Sequence, residues 1–222
     1  MAHLSYSEKI WFSPCYVISE LRRSMISKNK SLINKNKEAW ICAVALLCRT
    51  KAEPTQWWIQ IPKSDPPDVL AMNLISTENG NGNYMSILPV EVFEISENNC
   101  ETIEKSIERK LVGDNGLKIK DYSKTMVVGF VRRKQIFNHE IVSDYIKNLN
   151  HKASAVYLIV NEENSTNFSF IGIFPDCFKY NCDWGAMCKN INQNDYIEME
   201  RASKTKPHVT KYTNDILTLV PE

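Results

Sequence analysis

The sequence predicts an α/β protein with a mixed central β-sheet flanked by helices. Some segments place apolar residues at helical spacing, and others are short apolar runs rich in β-branched and aromatic residues. The two kinds of segment alternate along the chain, as expected for a sheet covered by helices. With 222 residues, 43% of them hydrophobic and 24% charged, the chain is long enough for one large domain. We therefore predict a single domain over residues 1–222.

The first half of the chain predicts two helices followed by three strands. Ser13-Pro14 is a helix N-cap followed by a first helical proline, and a polar, Asn/Lys-rich connector over residues 28–37 comes next. A second helix over residues 37–48 has three apolar residues on one face, which are Trp40, Val44 and Leu47. The three extended runs are Gln56–Ile61, Val69–Ser76 and Tyr84–Ser96, the last two joined by an Asn/Gly-rich turn over residues 78–83.

The second half continues the alternation. Ile103, Ile107 and Leu111 stack on one helical face, and Gly113 is a stop signal. The remaining segments are predicted, in order, as a strand over 125–131, a helix over 138–149, strands over 155–160 and 168–174, a helix over 191–201 and a short strand over 216–220.

Composition excludes several classes of protein. The longest apolar run, Ala39–Cys48, is too short to span a bilayer, and the N-terminus has no secretory signal pattern. Seven cysteines without framework spacing fit reduced thiols, so we expect a cytoplasmic protein that does not contact a membrane. Seven glycines form neither a Walker nor a dinucleotide fingerprint. The formal net charge of +1 restricts any nucleic-acid contact to local basic patches.

Two carboxylates stand out as candidate metal ligands. Asp68 precedes an apolar run directly, and Glu91 lies inside another, Ile87–Phe93. An unpaired carboxylate in such a run costs several kcal/mol to bury, so Glu91 requires a partner. A hard divalent cation held by both acids would provide one. The alternative is a glutamate on the solvated face of an edge strand.

The order helix, three strands, helix, strand over residues 37–131 resembles the core of the PD-(D/E)xK superfamily, the restriction-endonuclease-like fold (αβββαβ). Pro67-Asp68 is similar to the Pro-Asp of its second strand, and Glu91-Val92-Phe93 stands where its acidic-x-Lys triplet is found. The resemblance covers about 95 residues and implies a nuclease-like core over 37–131. Residues 1–36 would then form an N-terminal helical extension, and residues 132–222 a C-terminal extension of the sheet.

The chain departs from the family where the lysine is expected. Phe93 occupies that position and shares the strand parity of Glu91. In the family this lysine helps to position the attacking water, and lengths point to Lys110 as a substitute. The strand rises about 16 Å from Glu91 to its end, and the next helix descends about 14 Å to Lys110. Lys110 falls on the sheet-facing side of that helix, whereas Lys105 points away; the alternative is that Lys110 only snorkels from the helix flank.

The resemblance therefore implies a divalent-metal-dependent nuclease that hydrolyses DNA phosphodiesters, DNA being favoured over RNA. Asp68 and Glu91 would hold Mg²⁺ or Mn²⁺, with Lys110 as a catalytic helper. The basic residues that could contact phosphates are Arg22, Arg23, Lys28, Lys30, Lys35, Lys37, Arg132 and Arg133. The alternative is a catalytically inactive nuclease-fold module that binds nucleic acid or a protein partner.

Other candidate residues have structural explanations. Glu38 could supply the helix acid found in some family members, but its wheel position favours the surface, and Glu94 has the wrong strand parity to join Glu91. Asp65 could be an auxiliary metal ligand, but turn chemistry before Pro66-Pro67 is favoured. A zinc site would need three cysteines and a histidine whose spacing is unlike a zinc knuckle, namely Cys177, Cys182, Cys188 and His208. Trp57-Trp58 could stack on bases, although a core role is favoured.

Overall fold

The computed structural model describes residues 9–24, 30–52, 55–63, 67–76, 83–96, 101–113, 122–132, 136–161, 167–190, 194–200 and 208–212. The chain divides into two units, one formed by residues 1–88 with 188–222 and the other by residues 89–187. The boundary at Leu88 falls inside a strand. It does not coincide with the predicted limits of the nuclease-like core.

The first unit is built on antiparallel strands and two helices. Its elements are β1 (Ile10–Phe12), α1 (Pro14–Ser24), α2 (Lys30–Ala52), β2 (Gln56–Gln60), β3 (Val69–Ser76), the start of β4 (Asn83–Ile95), β9 (Tyr196–Glu200) and β10 (His208–Tyr212). The strand order is β10-β9-β1-β2-β3, with antiparallel pairing throughout. β9 therefore pairs with β1, and β10 is added outside β9, so both ends of the described chain belong to this unit.

The two helices of the first unit begin differently. Ser13 caps α1 as predicted, since its hydroxyl accepts from the Tyr16 amide at 3.2 Å and its carbonyl from the Val17 amide at 3.0 Å. The segment predicted as a connector over 28–37 is helical from Lys30, so that prediction is wrong over most of its length. Nearly every residue from Ala39 to Cys48 is buried, so α2 lacks the narrow apolar stripe that its sequence indicates.

The second unit has a mixed sheet covered by two amphipathic helices. Its elements are the rest of β4, α3 (Ile103–Val112), β5 (Met126–Val131), α4 (His139–Lys147), β6 (Ala155–Asn161), β7 (Asn167–Phe174), β8 (Phe178–Asp183) and α5 (Trp184–Asn190), which continues into the first unit. β4, β5 and β6 are parallel, and β7 and β8 are added antiparallel. Apolar residues of α3 and α4 pack with one sheet face in a buried cluster.

Short-range signals fix the limits of α3. The Thr102 hydroxyl accepts from the Lys105 amide at 3.3 Å, which caps the first turn. At the other end Gly113 adopts φ 80° and its amide donates to the Arg109 carbonyl at 3.0 Å, so the predicted stop is confirmed. Ile103, Ile107 and Leu111 are fully buried, as the spacing predicts.

The predicted α/β class, with a mixed sheet and flanking helices, is confirmed, and so is the element order from α2 to β5. The helix predicted over 191–201 is wrong, because residues 196–200 form β9. Ile197 and Met199 alternate with Glu198 and Glu200 in its sequence, and Ile197 is fully buried. Four elements were not predicted, namely β1, β8, α5 and β10. The turn over 78–82 and the strand over 216–220 lie outside the described residues.

Candidate functional site

A buried ion pair joins β4 to α3 in the second unit. The Lys110 Nζ lies 3.0 Å from the Glu91 Oε2 and 3.4 Å from the Val92 carbonyl oxygen. Only 9% of the Glu91 side chain and 17% of the Lys110 side chain are exposed. The ammonium also lies 5.9 Å from the centre of the Tyr122 ring, whose electron-rich face favours a cation. Glu91 therefore has the partner that its buried position requires, and the solvated edge-strand alternative is wrong.

Helix α3 delivers Lys110 to this position as strand and helix lengths predict. The register of β4 against β5 sets Glu91 opposite Val127, a residue of the buried cluster that contains Ile107 and Leu111. Lys110 follows Ile107 by three residues, which places it beside the buried face of α3. Lys105 points away, with 58% of its side chain exposed and an ion pair to Glu108 at 2.7 Å. The placement predicted for both lysines is confirmed.

Phe93 fills the position where the family has lysine. In the parallel register it lies opposite Gly129, and its ring comes so close that a methyl group on Gly129 would lie 2.7 Å from the Phe93 Cζ. The partly buried ring packs against the apolar cluster of the second unit. Glu91 and Phe93 thus share a face, as predicted, and the phenyl ring supplies packing where the resemblance implies a charge.

Glu94 lies on the opposite side of β4 and takes no part in this pair. Its Oε1 lies 3.0 Å from the Arg132 guanidinium, and about half of the Arg132 side chain is exposed. The predicted parity is confirmed, so Glu94 is a natural control for Glu91: the same residue type, in the same strand, ion-paired on the other face.

Asp68 has its own lysine in the first unit. Lys35 of α2 lies 3.6 Å from the Asp68 Oδ1 and 3.5 Å from the Glu38 Oε2. The exposed fractions of the three side chains are 16% for Lys35, 10% for Asp68 and 27% for Glu38. The expectation that Glu38 lies on the open surface is wrong, because α2 is buried more widely than its stripe indicates. Lys35 is held between two carboxylates and is not an open phosphate contact.

Cys42, a third residue of α2, is affected by the negative charge of Asp68. Cys42 follows Glu38 by four residues and therefore lies on the same side of the helix. Burial raises the pKa of the Cys42 thiol, and the negative charge of Asp68 raises it further. Cys42 is consequently a neutral thiol and not a nucleophile.

The two carboxylates predicted to share a metal belong to different units, Asp68 to the first and Glu91 to the second. Each lies beside a lysine within its own unit, and their convergence on one cation stays a prediction. Among the described residues, no three His, Cys, Asp or Glu side chains come together as a metal group. The three cysteines of the zinc alternative are among the described residues, namely Cys177, Cys182 and Cys188. The side chain of His208 is not described.

Most of the predicted phosphate-contacting residues have side chains outside the described part of the chain, namely Arg22, Arg23, Lys28, Lys30 and Arg133. Asp65 also lies outside it. Lys37 is partly buried, and Lys35 and Arg132 are in the ion pairs above. Trp57 and Trp58 are 1% and 2% exposed, so neither is available to stack on a base.

Sequence reasoning missed the pairing of Lys35 with Asp68. The available signal was Lys35 and Glu38 at i,i+3 on a helix, a spacing that forms ion pairs. The Asn/Lys-rich composition of residues 28–37 predicts a connector instead of a helix, and this spacing has no meaning outside a helix.

No family model matches this chain, and no curated protein matches it. Within the described residues, no helix combines the length and apolar character needed to cross a bilayer.

Proposed function

We propose that this chain is a divalent-metal-dependent nuclease-like protein that hydrolyses DNA phosphodiesters. The observation that carries the proposal is the Lys110 Nζ 3.0 Å from the Glu91 Oε2. In the PD-(D/E)xK family, an acid and a lysine of the same strand act together. In this proposal Lys110 of α3 takes the place of that lysine, since Phe93 occupies its position in the strand. Asp68, Glu91 and Lys110 are the proposed catalytic residues.

The donor atoms around Lys110 fit a hard cation. The Glu91 carboxylate and the Val92 carbonyl oxygen both approach the same ammonium, and oxygen atoms of these two kinds are ligands for Mg²⁺ and Mn²⁺. Asp68 is the other predicted ligand, and its side chain is also buried. Asp68 and Glu91 would hold the ion, which when bound polarises the phosphate and activates water as a nucleophile.

The residues of the chain have separate tasks in this proposal. Glu91 is fixed by its strand and by Lys110, so its carboxylate needs little reorganisation to bind a ligand. Lys110 carries a positive charge in a largely dry environment, where it would stabilise negative charge developing on the attacked phosphate more strongly than in water. The predicted basic residues other than Lys35 would contact the DNA backbone.

The test is cleavage of supercoiled and linear DNA with Mg²⁺ or Mn²⁺. We expect wild type to nick the DNA, and Asp68→Asn, Glu91→Gln and Lys110→Met each to lower the rate at least about 100-fold, as loss of a metal ligand or charge stabiliser does. Glu94→Gln and Lys105→Met, which remove the same residue types from the opposite side of β4 and the outer side of α3, should retain the wild-type rate. A wild type inert with both ions, or equal rates for Glu91→Gln and Glu94→Gln, would contradict an active nuclease.

A second function is favoured by Phe93. Its partly buried ring packs over Gly129 and against the core, and Glu91 already has a cationic partner. Both features suit a non-catalytic nuclease-fold module that binds nucleic acid or a protein. Fluorescence anisotropy with labelled DNA across a salt series tests whether the partner is nucleic acid or a protein. Phosphate contacts would make the affinity for DNA fall steeply with ionic strength, whereas a module that binds a protein would show no such binding to DNA.

A further inference from the structure

Two cysteine thiols touch in the first unit, and neither belongs to the proposed nuclease site. Cys15 is the second residue of α1, and Cys188 lies in α5. The Cys15 thiol donates a hydrogen bond to the Cys188 sulfur. Both residues are partly exposed, so a small solute can reach them.

The backbone holds these thiols together. β1 leads into α1 and β9 follows α5, and the two strands pair antiparallel, with Trp11 opposite Ile197. The Ser13 amide donates to the Asp195 carbonyl at 2.8 Å, which extends the pairing toward Cys15. Trp11 and Ile197 are both buried in one apolar cluster. The strand pairing therefore holds the backbone that leads into Cys15 beside the segment that follows α5.

The contact makes the two sulfur atoms unequal. The hydrogen bond from Cys15 lowers the pKa of the Cys188 thiol, and burial opposes this only in part. The same hydrogen bond, together with burial, raises the pKa of Cys15. Cys188 is consequently the sulfur that becomes a thiolate first, and the thiolate is the attacking form in disulfide exchange.

The other described cysteines offer contrasts. Cys42, Cys48 and Cys182 are buried. Cys177 is exposed, and its thiol donates to the His139 carbonyl at 3.8 Å. It is the matched control, because it is at least as accessible as Cys15 and Cys188 but lies against a carbonyl oxygen instead of a thiol.

We propose that Cys15 and Cys188 are a modification site that forms a reversible disulfide by exchange with a low-molecular-weight disulfide such as oxidised glutathione. The Cys188 thiolate attacks one glutathione sulfur, which breaks the glutathione disulfide, releases one glutathione thiolate and leaves a mixed disulfide on Cys188. Cys15 then gives up its proton and attacks the Cys188 sulfur, which expels the second glutathione. The two protein thiols lose two electrons and two protons, and these are recovered in two molecules of reduced glutathione.

The cross-link would tie α1 to α5 and so fasten β9 to β1. It would close residues 15–188 into one loop, and a long loop is where a disulfide restricts the unfolded chain most. Oxidation would therefore stabilise the first unit, and reduction would return the thiol pair.

The experiment equilibrates the full chain in glutathione buffers from reducing to oxidising, blocks free thiols by alkylation at low pH, and maps peptides by mass spectrometry without reduction. We expect a peptide pair joined through Cys15 and Cys188, and two fewer alkylated thiols, as the buffer becomes oxidising. Cys177→Ser should leave the cross-link unchanged. Cys15→Ser should stop the reaction at a glutathione adduct on Cys188, and Cys188→Ser should abolish the cross-link.

Thermal unfolding provides a second measurement that does not depend on any one variant. Oxidised wild type should melt at a higher temperature than reduced wild type, and Cys15→Ser should lose that shift. The proposal is overturned if Cys15 and Cys188 stay alkylated at every buffer ratio, if they carry only separate glutathione adducts, or if the cross-link joins a different pair.

Discussion

Glu91 and Lys110 compensate each other's charge in a part of the second unit that excludes most water. A buried ion pair is worth little against an apolar pair of the same shape, but removing one partner is costly because the other charge remains buried. The pair therefore contributes more to placing a carboxylate and an ammonium than to stability. Such placement is what a binding or catalytic site requires.

The cost of breaking this pair can be measured. We expect Lys110→Met to lower the free energy of unfolding by about 3 kcal/mol, because Glu91 loses its counter-charge. Adding Glu91→Gln should recover most of that loss, since it removes the stranded charge. Lys105→Met should change stability little, as its ion pair is exposed. Urea denaturation of the four proteins gives these values, and equal losses for Lys110→Met and Lys105→Met would contradict a buried pair.

At the scale of elements, a buried hydroxyl of α4 is hydrogen-bonded to the sheet of the second unit, beside the apolar contacts of that helix. The Ser143 hydroxyl donates to the Ile173 carbonyl at 2.7 Å, and Ser143 is fully buried. Ser154 makes the same kind of bond to the Thr125 carbonyl at 2.8 Å, but it is exposed. We expect Ser143→Ala to lower the free energy of unfolding by about 1 to 2 kcal/mol, because it leaves the buried Ile173 carbonyl without this hydrogen bond. Ser154→Ala should lower it clearly less, because water can replace the Ser154 hydroxyl. Chemical denaturation checks the difference, and a larger loss for Ser154→Ala would contradict it.

Elements could be predicted from the sequence where local signals agree. α3 has a cap, an apolar face and a terminal glycine, and each of these is set by residues within one helix. β1 has only three residues and exists because it pairs with β2 and β9, which local pattern does not reveal. β8 was missed because most of its side chains are exposed, so it lacks an apolar run.

The same distinction applies to the site. Lys110 could be placed beside Glu91 because a strand and the following helix have known rise per residue and return to the same level. The ion pair between Lys35 and Asp68 could not, since it depends on how α2 packs within the first unit. Burial of α2 on nearly all sides also depends on that packing, and it explains why a wheel drawn for an amphipathic helix misplaced Glu38.

At the scale of the whole molecule, a net charge of +1 leaves little general repulsion, so single groups govern the response of stability to pH. His151 is one such group. Its ring meets the edge of Phe174 at 4.6 Å between centres, and its Nδ1 is buried. Burial lowers the pKa of this imidazole, and a hydrogen bond to the Ile146 backbone opposes the change only in part.

Burial makes His151 harder to protonate in the folded chain than in the unfolded chain. The neutral imidazole therefore favours the folded state above the usual histidine pKa of about 6.5. This contribution to stability is lost as the pH falls toward the lowered pKa of the folded state. Acidification from pH 8 to 5.5 should therefore lower the melting temperature of wild type more than that of His151→Gln, which carries no titrating group there. Carboxylates with ordinary pKa values stay ionised over this range, so they contribute little. At pH 8, where the His151–Phe174 contact is intact, wild type should melt at a higher temperature than His151→Gln. The difference between the two melting temperatures, which is the gap, should be smaller at pH 5.5. A gap that is unchanged or wider at pH 5.5 would show that His151 takes up its proton as readily in the folded chain as in the unfolded one.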